Sequence, residues 1–427
     1  MPTSKANDWP LQNGDTVCIV GGGPGGASCA LAIKREAEKL GKEIRVLVFE
    51  QKRFNEGRQF NQCIGVLSPP LEDILRDQLG LELPESMLRK KIEGYHLHSD
   101  RMDLALDGKE HGSTYAVSRS EFDEFLFNQA VSAGVEINHN RITGMEVGPH
   151  DVLVYSEGQN CRAAVVVGAF GLDEGTAWIF ERATRYRRPD FLNTIITRLY
   201  PGPDFLDSLG PWIHAFLVSR KGMEFGAVTP KHDHLSINIA GRAVASPIMV
   251  EFLRSPPVQK LLPPKIHKEK PLNFFKGKFP ISPAGNLFGD RYVTIGDAAG
   301  LIRPFKGKGI NSACLTGIYA ARCMMNFGVS RKAFQNYIRD CEELTADLWY
   351  GRAIRLLTNL STRYGFMDHI LNIAARDPLF MEAMFNIVSG ELPYKQIFKS
   401  TFSPRVGLNF SQEIFKYIFR QPLARRL

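Results

Sequence analysis

The chain has 427 residues, a formal net charge of +8, 44% hydrophobic and 23% charged residues. It is long enough for two or three domains and has the composition of an ordinary soluble globular protein. No run of about 18 apolar residues marks a membrane-spanning helix, and the polar stretch Met1–Gln12 has no apolar signal-peptide core. No nucleic-acid motif accompanies the charge, which suits an anionic membrane surface, an anionic cofactor or an acidic electron-donor protein.

In chain order, the first informative stretch is Thr16–Glu50. Val17, Ile19 and Val20 form a short apolar run, which predicts a buried parallel strand. Gly21, Gly23 and Gly26, with Pro24 inside the loop, fit G-x-G-x-x-G. Gly21 permits a tight turn, Gly23 lets bare backbone approach a pyrophosphate, and Gly26 lets the next helix pack close to the sheet. That helix is predicted from about Gly25 to Leu40, its N-terminal N–H groups facing the phosphates. A second strand, Ile44–Phe49, ends on Glu50, close to the spacing of roughly 20 residues expected for a ribose-binding carboxylate. Together these features predict a dinucleotide site; the motif itself leaves FAD and NAD open.

The polar stretch Gln51–Gln62 leads to Cys63-Ile64-Gly65-Val66, and Leu71–Leu79 reads as a short amphipathic helix. Ile92–His98 and Met102–Leu106 alternate like strands of a second domain. His96/His98 and His232/His234 are alternating pairs on predicted strands, but no nearby Cys or carboxylate cluster completes a metal site. They read as surface or core histidines, and no metal is expected. The seven cysteines (18, 29, 63, 161, 314, 323, 341) are scattered without a C-x-x-C pair, which predicts reduced thiols and a cytoplasmic setting.

Arg119 opens a predicted helix capped by Ser118 or Ser120, with Phe122, Phe125, Leu126 and Ala130 on one side. Val135–Ile137 and Val152–Tyr155 read as strands, and Ala163–Gly171 as a buried strand ending in a Gly turn. From Thr176 to about Pro280, the strand-like pieces Phe191–Arg198, Ile213–Val218 and Leu235–Ala240 alternate with Pro-rich connections, which predicts a mixed sheet. The basic run Arg182, Arg185, Arg187 and Arg188 reads as a solvated loop. Tyr292–Ile295 returns to a buried strand, followed by Gly296-Asp297-Ala298-Ala299-Gly300. Pro304, Gly307, Gly309 and Ile310 then lead into an apolar helix to about Met325. From Ser330 the pattern is helical. Asn409–Leu427 sets Phe410, Ile414, Phe415, Ile418 and Phe419 at helical spacing beside basic residues. Two readings stay open there: a packed terminal helix, or one whose apolar side enters an anionic bilayer.

The glycine motif, Glu50, the Arg119 helix and Gly296-Asp297 together resemble FAD enzymes of the p-hydroxybenzoate-hydroxylase type. Within that superfamily, Gly296-Asp-Ala-Ala-Gly-Leu-Ile-Arg-Pro-Phe-Lys-Gly-Lys-Gly-Ile resembles the G-D-A-A-G-x-x-x-P-F-x-G-G-G-I of geranylgeranyl reductases. Cys63-Ile64-Gly65 resembles their Cys-x-Gly loop beside the flavin, and Phe385-Asn-Ile-Val-Ser-Gly-Glu-Leu-Pro-Tyr-Lys also resembles them. The resemblance implies that Asp297 binds the ribityl chain and that Arg119 has a cofactor role. It further implies that Gly307 and Gly309 present backbone N–H groups near the ring. Gly296, Pro304 and Ile310 join them as cofactor-binding positions, and Cys63, Gly65 and Phe225 become the candidates for the catalytic side. The family's Y-x-W-x-F-P is replaced here by Phe225-Gly-Ala-Val-Thr-Pro230, which removes much of an apolar wall. Lys306 and Lys308 add positive charge near the ring position.

The resemblance implies an α/β fold: a Rossmann-like FAD-binding domain (14–90, 112–175 and 282–330), a mixed β-sheet substrate domain (91–111 and 176–281) and a C-terminal helical region (331–427). It implies an FAD-dependent reductase of double bonds in an isoprenoid or other lipid-like substrate. No second glycine motif marks a nicotinamide domain, so electrons are expected from transiently bound NAD(P)H or from a redox protein such as an acidic ferredoxin. The alternatives are an FAD-dependent monooxygenase or halogenase, or a non-catalytic flavin-binding module at a membrane. Hydroxylases of this fold carry Asp-Gly where Phe170-Gly171 stands. Halogenases carry W-x-W-x-I-P, and Trp9, Trp178, Trp212 and Trp349 never stand two apart.

Overall fold

The computed structural model describes residues 8–53, 63–108, 112–263, 272–302 and 309–401. Pro304, Lys306, Gly307, Lys308 and the stretch 409–427 lie outside these residues. The chain divides into two compact units. The first comprises Met1–Arg89, Ala116–Leu192 and Lys278–Leu348; the second comprises Lys90–Tyr115, Asn193–Gly277 and the chain from Trp349 onward. Residues 176–192 belong to the first unit, and the stretch after 330 is shared between the two units. The helical pattern of that stretch carries no information about which unit covers its apolar side.

In chain order the elements used below begin with β1 (Thr16–Val20), α1 (Pro24–Lys39) and β2 (Arg45–Phe49). Next come β3 (Gly94–His98), β4 (Asp103–Asp107), α2 (Arg119–Ser132), β5 (Glu136–Asn138) and β6 (Val165–Gly168). The middle of the chain gives β7 (Phe191–Leu199), β8 (Trp212–Phe216), β9 (Phe225–Pro230) and β10 (Leu235–Gly241). Last are β11 (Phe275–Pro280), β12 (Phe288–Gly289), β13 (Tyr292–Thr294), α3 (Gly309–Phe327) and α4 (Glu342–Arg363).

The first unit is built on a six-stranded sheet in the order β12-β13-β6-β1-β2-β5. β13, β6, β1, β2 and β5 run parallel, and β12 pairs antiparallel at the edge. The apolar runs explain this, because Val17, Ile19, Val46, Val48, Val165 and Val167 are all buried and parallel strands need cover on both faces. The chain leaves β1 towards β2 on one side and returns to β6 on the other. β1 therefore lies at a topological switch point, where ligands of such sheets bind. α1 and α3 cross closely enough that a Cβ added at Gly317 would lie 2.5 Å from the Gly25 carbonyl oxygen.

The second unit carries a seven-stranded sheet in the order β11-β7-β10-β9-β8-β3-β4. β7, β10, β9 and β8 pair antiparallel in turn, β8 runs parallel to β3, and β3 pairs antiparallel with β4. Phe216, Val228, Ile237, Ile239 and Phe252 are buried in its core. Glu224 ties α4 to this sheet: Arg355 donates to its two oxygens at 2.8 and 2.6 Å, and Asn359 donates at 2.8 Å.

Three local expectations are revised. Ser118 is the N-cap of α2, without a side-chain cap bond. His232 and His234 lie in the turn before β10 and not on a strand; the Lys231 N–H donates to the His234 carbonyl at 2.8 Å and closes that turn. The basic run is locally engaged as well as solvated: Arg188 forks onto Glu181, and Arg182 stacks over Trp178.

Candidate functional site

The site starts where β1 ends. Gly21 has φ +108°, and a Cβ there would lie 2.4 Å from the Ala169 carbonyl oxygen at the end of β6. Only glycine fits both the dihedral and the space. A Cβ at Gly26 would lie 1.9 Å from the Gly21 carbonyl oxygen, so this glycine serves packing. Gly23 is different: nothing lies within 4 Å of a Cβ built on it. It is the N-cap of α1, it carries no capping side chain, and Pro24 follows in the first turn. The N–H groups of that turn are left for a ligand, and the helix dipole favours an anion there.

Glu50 closes one side. Its Oε2 accepts from the Gly22 N–H at 2.8 Å and its Oε1 from the Lys52 N–H at 2.9 Å. Two backbone donors thus fix the carboxylate, and each oxygen keeps a lone pair for a ribose hydroxyl. Gly22 was not singled out in the sequence, because its role lies in its N–H.

On the other side, β13 leads into Gly296, which has φ +60° and donates its N–H to Thr316 Oγ1 at 2.9 Å. A Cβ at Gly309, the first residue of α3, would lie 3.3 Å from Asp297 Oδ1. The start of α3 therefore lies beside the Asp297 carboxyl. Ile310 is buried, so a cofactor would meet its backbone and not its side chain.

Arg119 Nε donates to Asp123 Oδ1 at 2.7 Å, with the two side chains only 14% and 3% exposed. Desolvation opposes the guanidinium charge, but Asp123, Cys63 and Asp297 outweigh it and hold the group firmly protonated. Burial raises the Asp297 carboxyl above its ordinary range, and Arg119 pulls it back down. Asp123 is a residue the sequence reading missed, although its i+4 spacing from Arg119 was a usable signal.

Cys63 is exposed, whereas the other six cysteines are buried. The Gly65 carbonyl accepts from the Val117 N–H at 2.8 Å, just before α2, and Gly65 has φ +63°. Asn311 of α3 donates to the carbonyls of Ser68 and Pro69 at 3.0 and 3.3 Å. The Val117 N–H thus ties Gly65 to the start of α2, and the Asn311 side chain ties Ser68 and Pro69 to the start of α3. Phe225, the third candidate on the catalytic side, lies in the second unit at the start of β9.

Phe170 packs against Phe180 and Tyr186, with ring centroids 4.8 and 5.9 Å apart. It fills core space and offers no carboxylate. The first unit thus supplies a glycine cradle a Cβ would fill, a fixed carboxylate at one end and a buried Asp–Arg pair at the other. This donor set fits an FAD-type dinucleotide.

No family model matches the chain. A digeranylgeranylglycerophospholipid reductase from Thermoplasma acidophilum is 24% identical over 331 residues, covering 72% of this chain and 76% of its own. A geranylgeranyl bacteriochlorophyll reductase-like structure from the same organism superposes with a TM-score of 0.67 at 17% identity, covering 93% of this chain and 99% of its own. The flavin-dependent brominase Bmp2 superposes at 0.65 with 17% identity, covering 95% of this chain and 100% of its own. The two structural likenesses establish the shared fold; the sequence relation, which runs through most of the chain, is to the reductases. These likenesses support placing the chain with the geranylgeranyl reductases among FAD-dependent oxidoreductases.

Proposed function

We propose that this enzyme reduces carbon–carbon double bonds of an isoprenoid-type lipid. The observation that carries the reading is the relation to a reductase named for such a lipid, spanning 72% of the chain. FAD, when bound and reduced, would supply the hydride chemistry. The chain's own residues do the rest. Gly23 and the first turn of α1 receive the pyrophosphate, Glu50 the ribose, and Asp297 with Arg119 the ribityl end. Cys63, exposed on the loop fixed through Gly65, is our candidate for delivering the proton to the second alkene carbon. Phe170 favours this reading over hydroxylation, because it stands where hydroxylases of this fold carry an acid.

The substrate wall is more polar than the resemblance implies. Ala227 and Thr229 alternate onto one face of β9, with Asn238 and Ser236 as their register partners on β10. Thr229 Oγ1 and Asn238 Oδ1 are buried without a hydrogen-bond partner. We propose that the lipid bears an oxygen-containing group that meets this face. As electron donor we propose NAD(P)H or an acidic redox protein drawn by the +8 net charge.

Anaerobic mixing of reduced, FAD-loaded protein with digeranylgeranylglycerophospholipid tests the reading. Flavin reoxidation is expected together with a mass gain of two hydrogens per bond reduced. Reoxidation that needs oxygen and yields a hydroxylated or halogenated product overturns it.

We further propose peripheral membrane contact through α4. Trp349, Leu356, Leu357, Leu360 and Tyr364 are 73%, 59%, 58%, 42% and 59% exposed. At 100° per residue they fall in one stripe, with exposed Arg352 and Arg363 along one edge. An apolar face bordered by cations suits the interface of an anionic bilayer. Among the described residues no helix is long and apolar enough to cross a membrane. The double substitution Leu356→Glu/Leu360→Glu is expected to weaken binding to phosphatidylglycerol vesicles about tenfold or more, since two exposed apolar anchors become anions. Flavin content and melting temperature should stay near those of the parent protein, because both side chains face outward. Equal vesicle binding by parent and variant would remove α4 from the interface.

A further inference from the structure

The second unit brings together three histidines that the sequence separates. β3 pairs with β4 on one side and with β8 on the other. In this register His214 stands opposite His96, and Asp103 stands opposite His98. Strand alternation puts His96 and His98 on one face, so all four side chains meet there. One ring nitrogen from each of His96, His98 and His214 lies within 4.8 Å of the others. His98 and His214 are 6% and 4% exposed, while His96 is partly open to solvent.

The hydrogen bonds define what these rings offer. His98 Nδ1 lies 2.6 Å from Asp103 Oδ1, and His98 Nε2 lies 3.0 Å from His214 Nδ1. A carboxylate accepts, so His98 Nδ1 carries the proton and its Nε2 is left as a lone pair. His214 Nδ1–H must then be the donor to that lone pair. His214 Nε2 is buried and makes no hydrogen bond of ordinary geometry, although the Leu209 backbone carbonyl lies close enough to act on the ring. A buried imidazole nitrogen without such a bond needs a physical reason.

We propose that the second unit binds one divalent cation of the zinc class through His96, His98 and His214. Three imidazole nitrogens are a zinc donor set, and Asp103 behind His98 is the outer carboxylate that orients a ligating ring. Zinc–nitrogen bonds of about 2.0–2.1 Å place tetrahedral ligand atoms roughly 3.3 Å apart, so small side-chain rotations convert the present spacing into a coordination shell. The partly exposed His96 side leaves a fourth position for water. Such an ion would clamp β3 to β8, two strands far apart in sequence, and would do so within a unit that contains no part of the glycine cradle.

The test uses the full-length protein, stripped with a chelator and then dialysed against micromolar zinc chloride. One zinc per chain is expected by elemental analysis. Cobalt(II) in flavin-free protein should show the intense visible bands of a four-coordinate nitrogen site. His96→Gln and His214→Gln should each lose the ion. Asp103→Asn, which keeps the side-chain shape and lowers the risk of misfolding, should bind about 10–100-fold more weakly. Flavin content should be the same in all of them. Parent protein that retains no stoichiometric zinc overturns the proposal, as does full zinc retention by both histidine variants.

Discussion

Gly23→Val is expected to give a folded protein with little or no flavin. Gly23 has φ −68°, which valine adopts without strain, and a Cβ there meets nothing within 4 Å. The apoprotein should therefore melt close to the parent temperature. The branched side chain instead occupies the space a pyrophosphate needs at the start of α1. Asp297→Ala should also purify pale, because it removes a charged hydrogen-bond acceptor worth about 1.5–3 kcal/mol, or about tenfold to a hundredfold in affinity. Gly26→Val is the contrasting control. Its Cβ would lie 1.9 Å from the Gly21 backbone oxygen, so it should lose stability by at least about 1–3 kcal/mol as well as cofactor. Flavin absorbance per chain and thermal melting, measured on all three, separate binding loss from folding loss. Normal flavin content in both Gly23→Val and Asp297→Ala would overturn the cofactor assignment.

The contrast shows why part of this site was legible in the sequence. Gly21 makes the turn, Gly26 packs against its backbone, and the space beside Gly23 is open, as their spacing leads one to expect of a glycine loop. Those roles are local, fixed by a strand, a loop and a helix that adjoin in the chain. The same holds for Arg119, whose partner Asp123 is one helical turn away. Asp123 was overlooked despite that local signal, whereas the histidine cluster depends on distant residues. His96 and His98 were visible as a pair on one strand face. His214 lies 116 positions beyond His98 and reaches them only because β8 pairs with β3.

The stripe on α4 illustrates a second limit. Trp349, Leu356, Leu357, Leu360 and Tyr364 have the periodicity of any core-facing helix, and periodicity does not say whether the apolar side is covered. The 409–427 segment, outside the described residues, has the same pattern in its sequence, beside basic residues. Exposure is a tertiary property, and among the described residues it marks this stripe on α4. Cys63 makes the same point in reverse. Its loop reads as a family motif, but only the fold distinguishes this exposed thiol from the six buried ones.

Arg119→Met is expected to have the largest effect on stability. The substitution keeps an unbranched apolar stem and removes the charge that two carboxylates share. Asp123 loses a partner at 2.7 Å while only 3% exposed, and Asp297 loses the one charge that offsets its desolvation. Breaking one side of such a buried pair typically costs about 3–5 kcal/mol, because the remaining charge is left uncompensated. Urea unfolding of flavin-free protein at pH 7 should show this loss, so that cofactor release does not enter the comparison. The pH dependence gives the second readout. The Asp297 carboxyl is already raised in the folded state, so folding takes up a proton and stability declines as pH rises from the ordinary carboxylate range through the folded-state value. Without Arg119 the folded value rises further, and the decline extends to higher pH. The gap between parent and variant should therefore narrow as pH falls below 7 through the variant's folded-state value, where Asp297 takes up its proton. A small gap that does not change with pH would show that the Arg119 charge does not hold these two carboxylates.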